Sequence, residues 1–218
     1  MTEAIDVVII GAGFAGLRAL HSFRAMGLSV AVLEASDGIG GVWNFNRYPG
    51  ARCDVESFDY SYRFSPELEQ DWRWSERYAT QPEILRYVHH VAERFDLHRD
   101  IHLNARVARA EFDEAASRWT VESEDGRCWS AARLILAVGQ LSTPREIFYP
   151  GQQEFAGCII YSANWPGDDI SFAGKRVAII GTGSSGVQMT PVIAAQAAQL
   201  TVFQRTANYS IPAANAPV

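Results

Sequence analysis

Cysteine is scarce in this sequence. Cys53, Cys128 and Cys158 are the only three among 218 residues, they lie far apart, and no CxxC occurs. So sparse and odd a set excludes a disulfide framework and offers no zinc-ligand spacing. Lysine is scarcer still: Lys175 stands alone beside 18 arginines, a bias from which no function follows. There is no basic run, and the net charge is −6, which argues against a nucleic-acid partner. Positive charge is also lacking at the N-terminus, where Glu3 and Asp6 surround the start of the first apolar run. That is the wrong sign for a signal peptide. The run itself, Val7 to Leu17, is short and broken by glycine, so it does not span a membrane. These absences describe a protein of a reducing, cytoplasmic setting. What is present is apolar: 48% of residues, enough to exclude disorder. The length allows one large domain or two small ones, and burial of roughly 70% of the unfolded surface.

The chain opens with IDVVII (5–10), a β-branched run that reads as a buried parallel strand ending in glycine. GAGFAG (11–16) follows, then a helical stretch closed by Gly27, then a second strand, SVAVLEA (29–35). This is a βαβ unit. Residues 36–57 are turn-rich and aromatic and read as an ordered loop. TQPE (80–83) is a capping box, with Thr80 as cap and Glu83 three residues on, opening a helix to about Phe95. Its apolar stripe is Ile84, Leu85, Val88, Val91, Ala92 and Phe95. Short alternating runs near 101–112, 118–123 and 127–130 predict an antiparallel meander, and ARLILAVG (132–139) a further buried strand. After a Pro/Gly-rich linker at 143–151, RVAII (176–180), GTGSSG (181–186), a helix near 184–197 and LTVFQ (200–204) repeat the opening design.

GAGFAG is GxGxxG. Gly11 permits the tight turn, Gly13 lets a pyrophosphate approach the backbone, and Gly16 lets helix and strand pack closely. Glu34 ends the next strand, 23 residues after Gly11, where a carboxylate can accept from ribose hydroxyls. The competing reading is a glycine-rich turn in some other α/β sheet. In the second unit the same count from Gly181 reaches Gln204, followed by Arg205. An acid there would repel a 2′-phosphate, whereas Arg can pair with one. The first site therefore suits FAD or NAD, and the second suits NADP(H). The alternative for Arg205 is a solvated strand-end residue. Two nucleotide sites in one chain imply electron transfer between two cofactors, most simply NADPH to FAD. The fold class is α/β: two Rossmann-like dinucleotide-binding units, three-layered, with a small antiparallel meander in the first.

Two longer patterns carry a resemblance. GGVWNFNRYPGARCD (40–54) fits [A/G]GxWxxxx[F/Y]P[G/M]xxxD through Gly40, Gly41, Trp43, Tyr48, Pro49, Gly50 and Asp54. FAGCIIYSANWP (155–166) fits FxGxxxHxxxWP at Phe155, Gly157, Trp165 and Pro166. With these motifs the chain resembles the Baeyer–Villiger monooxygenases, single-component FAD- and NADPH-dependent enzymes of the phenylacetone and cyclohexanone monooxygenase group. The resemblance implies that NADPH reduces FAD, that reduced flavin captures O₂ as a C4a-peroxyflavin, and that a ketone becomes an ester or lactone. NADP⁺ stays bound and shields the site from water. It implies no metal. It places Gly11, Gly13, Phe14, Gly16, Glu34, Gly41, Val42, Trp43, Tyr60, Val107 and Gly139 around FAD, with Val107 at the adenine. It places Gly181, Thr182, Gly183, Ser184, Ser185, Gly186, Arg205 and Thr206 around NADP. Asp54 would support a catalytic arginine. The plain alternatives are a backbone-capping carboxylate for Asp54 and core packing for Trp43 and Tyr60.

The sequence departs from the family in two ways. Tyr161 stands where the pattern has His; it can donate a hydrogen bond but carries no positive charge near neutral pH. The family's chains are also more than twice this length, and the catalytic arginine belongs to their later part. The expected division is an N-terminal part of an FAD domain at 1–142, a linker carrying the second pattern at 143–175, and the first half of an NADP domain at 176–218. Both domains would be incomplete, so weak FAD retention and self-association through open sheet edges are expected. Two rival functions stay open: an N- or S-oxygenating flavin monooxygenase acting on a sulfide rather than a ketone, and a non-catalytic FAD/NADP-binding remnant. His89 and His90 read as helix-surface residues, Trp72 and Trp74 as packing, and Cys53 as unreactive. The absence of a CxxC argues against a disulfide reductase.

Overall fold

The computed structural model describes residues 4–141, 143–145, 147–167 and 170–218. Glu3, Ser142 at the expected domain boundary and Glu146 of the linker lie outside these residues. In chain order the elements are β1 (Ala4–Ile10), α1 (Phe14–Ala25), β2 (Val30–Leu33), α2 (Val42–Phe45), α3 (Pro66–Asp71) and α4 (Gln81–Arg94). Then come β3 (Ile101–His102), β4 (Val107–Asp113), β5 (Arg118–Ser123), β6 (Cys128–Leu136), β7 (Arg176–Ile180), α5 (Ser184–Ala194) and β8 (Gln199–Phe203). The chain divides into two compact units. One joins Met1–Asn44 to Leu85–Thr143, the other joins Phe45–Ile84 to Pro144–Val218.

The first unit is built on a six-stranded sheet, ordered β3-β2-β1-β6-β5-β4. β1 pairs in parallel with both β2 and β6, while β5 joins β6 and β4 antiparallel. The uninterrupted apolar run of β1 follows from burial on both faces. Val7 and Ile9 pack with Leu17 and Leu20 of α1 and Val88 and Ala92 of α4. Ile5 and Val8 face Val121, Trp129 and Ala131 of the meander. Each fully buried Val, Leu or Ile among them contributes about 1.5–3 kcal/mol.

Four local expectations are corrected. The run near 101–112 is two elements: Ile101 and His102 pair in parallel with β2, and the meander begins at Val107. The break is Asn104, at φ +52, whose amide donates to the Ser36 carbonyl. Residues 127–130 and 132–139 share one strand, β6, because its two edges serve β1 and β5 at once. The 36–57 segment is not all loop. Trp43 N and Asn44 N donate to the Gly40 and Gly41 carbonyls, and α2 forms on those turns. Finally, α4 starts where TQPE predicts, but the buried Glu83 carboxylate accepts from Ser75 N at 2.8 Å and Ser75 Oγ at 2.7 Å. It anchors the preceding strap and so serves a purpose outside the capping box.

In the second unit β7 and β8 form a parallel pair beside α5. Phe172, Ile179, Met189 and Ile193 are buried together, with Trp165, Tyr48 and Leu200 packed on them. Ser65 caps α3, accepting from Leu68 N, with Pro66 at the first helical position. No helix among the described residues is long and apolar enough to cross a membrane.

Candidate functional site

The two glycine turns are conformational copies. Gly11 has φ +102 and Gly181 φ +107, a region closed to other residue types. Gly11 N donates to Leu33 O at 2.8 Å, and Gly181 N to Phe203 O at 2.9 Å. Gly13 and Gly183 each precede a helix in extended conformation, and no side chain caps either helix. A Cβ on Gly16 would lie 1.8 Å from the Gly11 carbonyl oxygen, and one on Gly186 2.3 Å from that of Gly181. The third glycine is therefore fixed by packing. The second is not: a Cβ on Gly13 would make ordinary contact with Gly41 Cα at 3.6 Å and Gly41 N at 3.9 Å, and one on Gly183 would meet nothing within 4 Å. Gly183 faces open space and Gly13 is uncrowded, and at helix N-termini without a side-chain cap both fit a pyrophosphate.

The first turn gathers its expected neighbours. Ala12 O accepts from Gly40 N at 3.0 Å, which lays Gly41, Val42 and the buried Trp43 beside Gly13 and Phe14. Ala137, at the end of β6, donates to Ile10 O and lies against Gly11; Gly139 follows two residues on at φ +70. Glu34 is buried. Its Oε2 accepts from Ala12 N at 2.7 Å, and its Oε1 from Ser36 N and Oγ, both at 2.9 Å. Val107 begins an edge strand, yet Ala105 N donates to Glu34 O, which brings that edge to the end of β2.

The second turn differs in chemistry. Gln204 Nε2 donates to Thr182 Oγ1 at 2.9 Å, and Asn208 Nδ2 to Thr182 O at 2.6 Å. Ser184 and Ser185 open α5, and Arg205 and Thr206 follow Gln204 fully at the surface. Asp54 and Tyr60 both lie in this unit. Asp54 is exposed and Tyr60 half-buried, its amide donating to Glu56 O. Burial pushes the Cys53 thiol up, and the Asp54 charge beside it adds to the effect, so Cys53 is an unreactive thiol.

The second pattern has a packing logic. The Phe155 ring lies over Gly157, where a Cβ would come within 2.5 Å of it. Trp165 packs on Phe172 with the rings tilted at 45° and their centroids 6.2 Å apart, at the edge of the second core. Tyr161 Oη accepts from Gln152 Nε2 at 2.8 Å and donates to the Ile147 carbonyl at 3.3 Å. It acts as a neutral pin within the linker. Sequence reasoning missed Ser36, Asn208, Gln152 and Gln188. Ser36 alone carried a signal, a hydroxyl two residues after the acid.

Two glycine turns of one design, each following a parallel strand and opening a helix, have the form shared by dinucleotide-binding proteins. Residues 8–216 match the pyridine nucleotide-disulphide oxidoreductase family, and the chain belongs to it. It has no CxxC. The acetone monooxygenase (methyl acetate-forming) of Gordonia sp. (strain TY-5) is 44% identical, over 98% of this chain and 40% of its own length. A phenazine N-monooxygenase of Lysobacter antibioticus is 43% identical (98% and 39%), and a Baeyer–Villiger monooxygenase of Pseudooceanicola batsensis 42% (97% and 39%). An oxidized steroid monooxygenase bound to NADP superposes with a TM-score of 0.95 at 59% identity, over 99% of this chain and 41% of that one. The resemblance to Baeyer–Villiger monooxygenases is thereby borne out. The chain spans about 40% of the length of the relatives it matches.

Proposed function

We propose that the first turn binds FAD and the second NADP(H), within an NADPH-dependent flavoprotein monooxygenase of Baeyer–Villiger type that acts with O₂ on a ketone. The observation that carries this reading is the divergence of two otherwise matching turns at one position. A buried carboxylate stands at 34; an amide followed by an exposed arginine stands at 204–205. Glu34 orients the first turn through Ala12 and faces a ribose bearing a free 2′-hydroxyl. Arg205 supplies the cation for a 2′-phosphate. Gly13 and Gly183 admit the pyrophosphates, and Val42 and Trp43, beside the first turn, line the flavin. Asp54 holds a catalytic arginine supplied from beyond the matched segment. When bound, FAD supplies oxygen activation and NADPH the hydride that reduces it. Three free cysteines without a CxxC support a reducing, cytoplasmic compartment.

The test is to purify the chain, record its flavin spectrum and add NADPH without oxygen. Loss of the oxidised-flavin absorbance supports a working reductive half. A bound flavin that NADPH leaves oxidised favours the non-catalytic binding reading. The phenazine N-monooxygenase relative favours a second reading, oxygenation at nitrogen. Product analysis with a ketone, a sulfide and a nitrogen heterocycle separates the two: ester or lactone for the first, N-oxide or sulfoxide without ester for the second.

A further inference from the structure

One side chain of α5 holds the loop that precedes Asp54. Gln188 Oε1 accepts from Tyr48 Oη at 2.9 Å and from Arg52 N at 3.3 Å, and its Nε2 donates to Arg52 O at 3.0 Å. Between those two residues Gly50 lies flat on the same helix. It has φ +79, and a Cβ there would stand 2.5 Å from the Gln188 carbonyl oxygen and 3.0 Å from Val192 Cγ2. Tyr48, Gly50 and Arg52 thus all rest on one turn of α5. Arg52 is held on its other side by Glu76, at 3.2 Å, and Cys53 N donates to Ala79 O. Asp54 is the next residue. Gln188 follows Ser184, the first residue of α5, by four positions, one turn along the same face.

We propose that Gln188 is a positioning residue that couples occupancy of the turn at 181–186 to the loop bearing Asp54. The inference rests on the reading of that turn as an NADP site. A ligand held by the first turn of α5 sets the position of a short rigid helix, and Gln188 passes that position to the loop through three hydrogen bonds. The residue type is specific. Only a primary amide of this length offers both the acceptor that Tyr48 and Arg52 N need and the donor that Arg52 O needs. Glu keeps the acceptor and loses the donor; Leu loses both.

Hydrogen–deuterium exchange on the purified chain, with and without NADP⁺, tests the coupling. Peptides covering 48–54 and 182–190 are compared. In the wild type NADP⁺ slows exchange in both, the loop by about fivefold, the equivalent of one net hydrogen bond. In Gln188→Leu the slowing persists at 182–190 and vanishes at 48–54. Gln188→Glu, of nearly the same shape, gives an intermediate loop response and decides the matter if the leucine variant does not fold. An unchanged loop response in both variants overturns the proposal, as does a wild-type loop that ignores NADP⁺ while 182–190 responds. Silence in both segments refutes the NADP reading itself, and the coupling falls with it.

Discussion

The carboxylate of Glu34 accepts the Ala12 amide proton across 22 residues, at 2.7 Å. The acid at the end of β2 therefore shapes the glycine turn. Replacing Glu34 with Ala leaves the buried Ala12 amide without its acceptor, a cost of about 1–3 kcal/mol, and removes a partner from the half-buried Ser36. Glu34→Ala is expected to lower the urea midpoint and to release FAD on gel filtration. An unchanged midpoint with full flavin retention would contradict the structural half of this argument.

The three glycines of the first turn separate folding from binding. Gly13→Ala places its methyl in ordinary contact with Gly41, so the fold is expected to hold within about 1 kcal/mol of wild type while FAD binding fails. Gly16→Ala drives a methyl into the Gly11 carbonyl and is expected to prevent folding. Circular dichroism and flavin absorbance on the two variants read the two effects independently.

Arg205 is fully exposed and follows Gln204 at the end of β8. Arg205→Gln is expected to weaken NADP⁺ binding by about 10- to 100-fold, the range of a charge-assisted hydrogen bond, and to leave NAD⁺ unchanged. Titrations with both nucleotides measure the ratio. Equal weakening of the two would assign Arg205 to a general role.

Acid sensitivity has a defined source. Burial holds His21 below the ordinary imidazole value of 6.5, helped by Arg18 and Arg24. Burial does the same for His89, helped by His98. A base whose pKa is lowered by folding binds more protons when unfolded. Its stabilising contribution is full above about pH 6.5 and is lost as pH falls toward the depressed folded values. The denaturation midpoint should therefore drop between about pH 7 and pH 5. The double variant His21→Gln, His89→Gln should flatten that slope, and a slope unchanged by the substitutions would point to other groups.

The pair β7 and β8 leaves Ile180, Val202 and Phe203 exposed. Concentration-dependent association is expected, and light scattering should show it weaken in Phe203→Lys. A strict monomer across the concentration range would contradict this.

Much of this molecule was legible because its main constraints are local. Gly11, Gly13 and Gly16 are dictated by a turn, and a turn is written in consecutive residues. Both βαβ units, α4 and the 34/204 contrast followed from spacing alone. The errors have a common cause in long-range partners. Residues 101–102 joined β2 because a parallel neighbour was available, which no window of sequence displays. Glu83 met Ser75, eight residues away, through a bend that periodicity does not encode. Gln188 was unreadable for the same reason: its partners at Tyr48 and Arg52 lie about 140 positions upstream.

The close approach of Gly16 to the Gly11 carbonyl, matched by Gly186 and Gly181, means that each nucleotide turn keeps its shape through main-chain atoms. The side chains at 34 and 204 are braces added to that frame: Glu34 accepts from Ala12 N, and Gln204 donates to Thr182 Oγ1. One main-chain frame is thus used twice in the chain, with a different brace in each copy. The division of labour is between an invariant peptide frame and an adjustable rim. Exchanging cofactor preference between the two turns becomes a problem of rim chemistry.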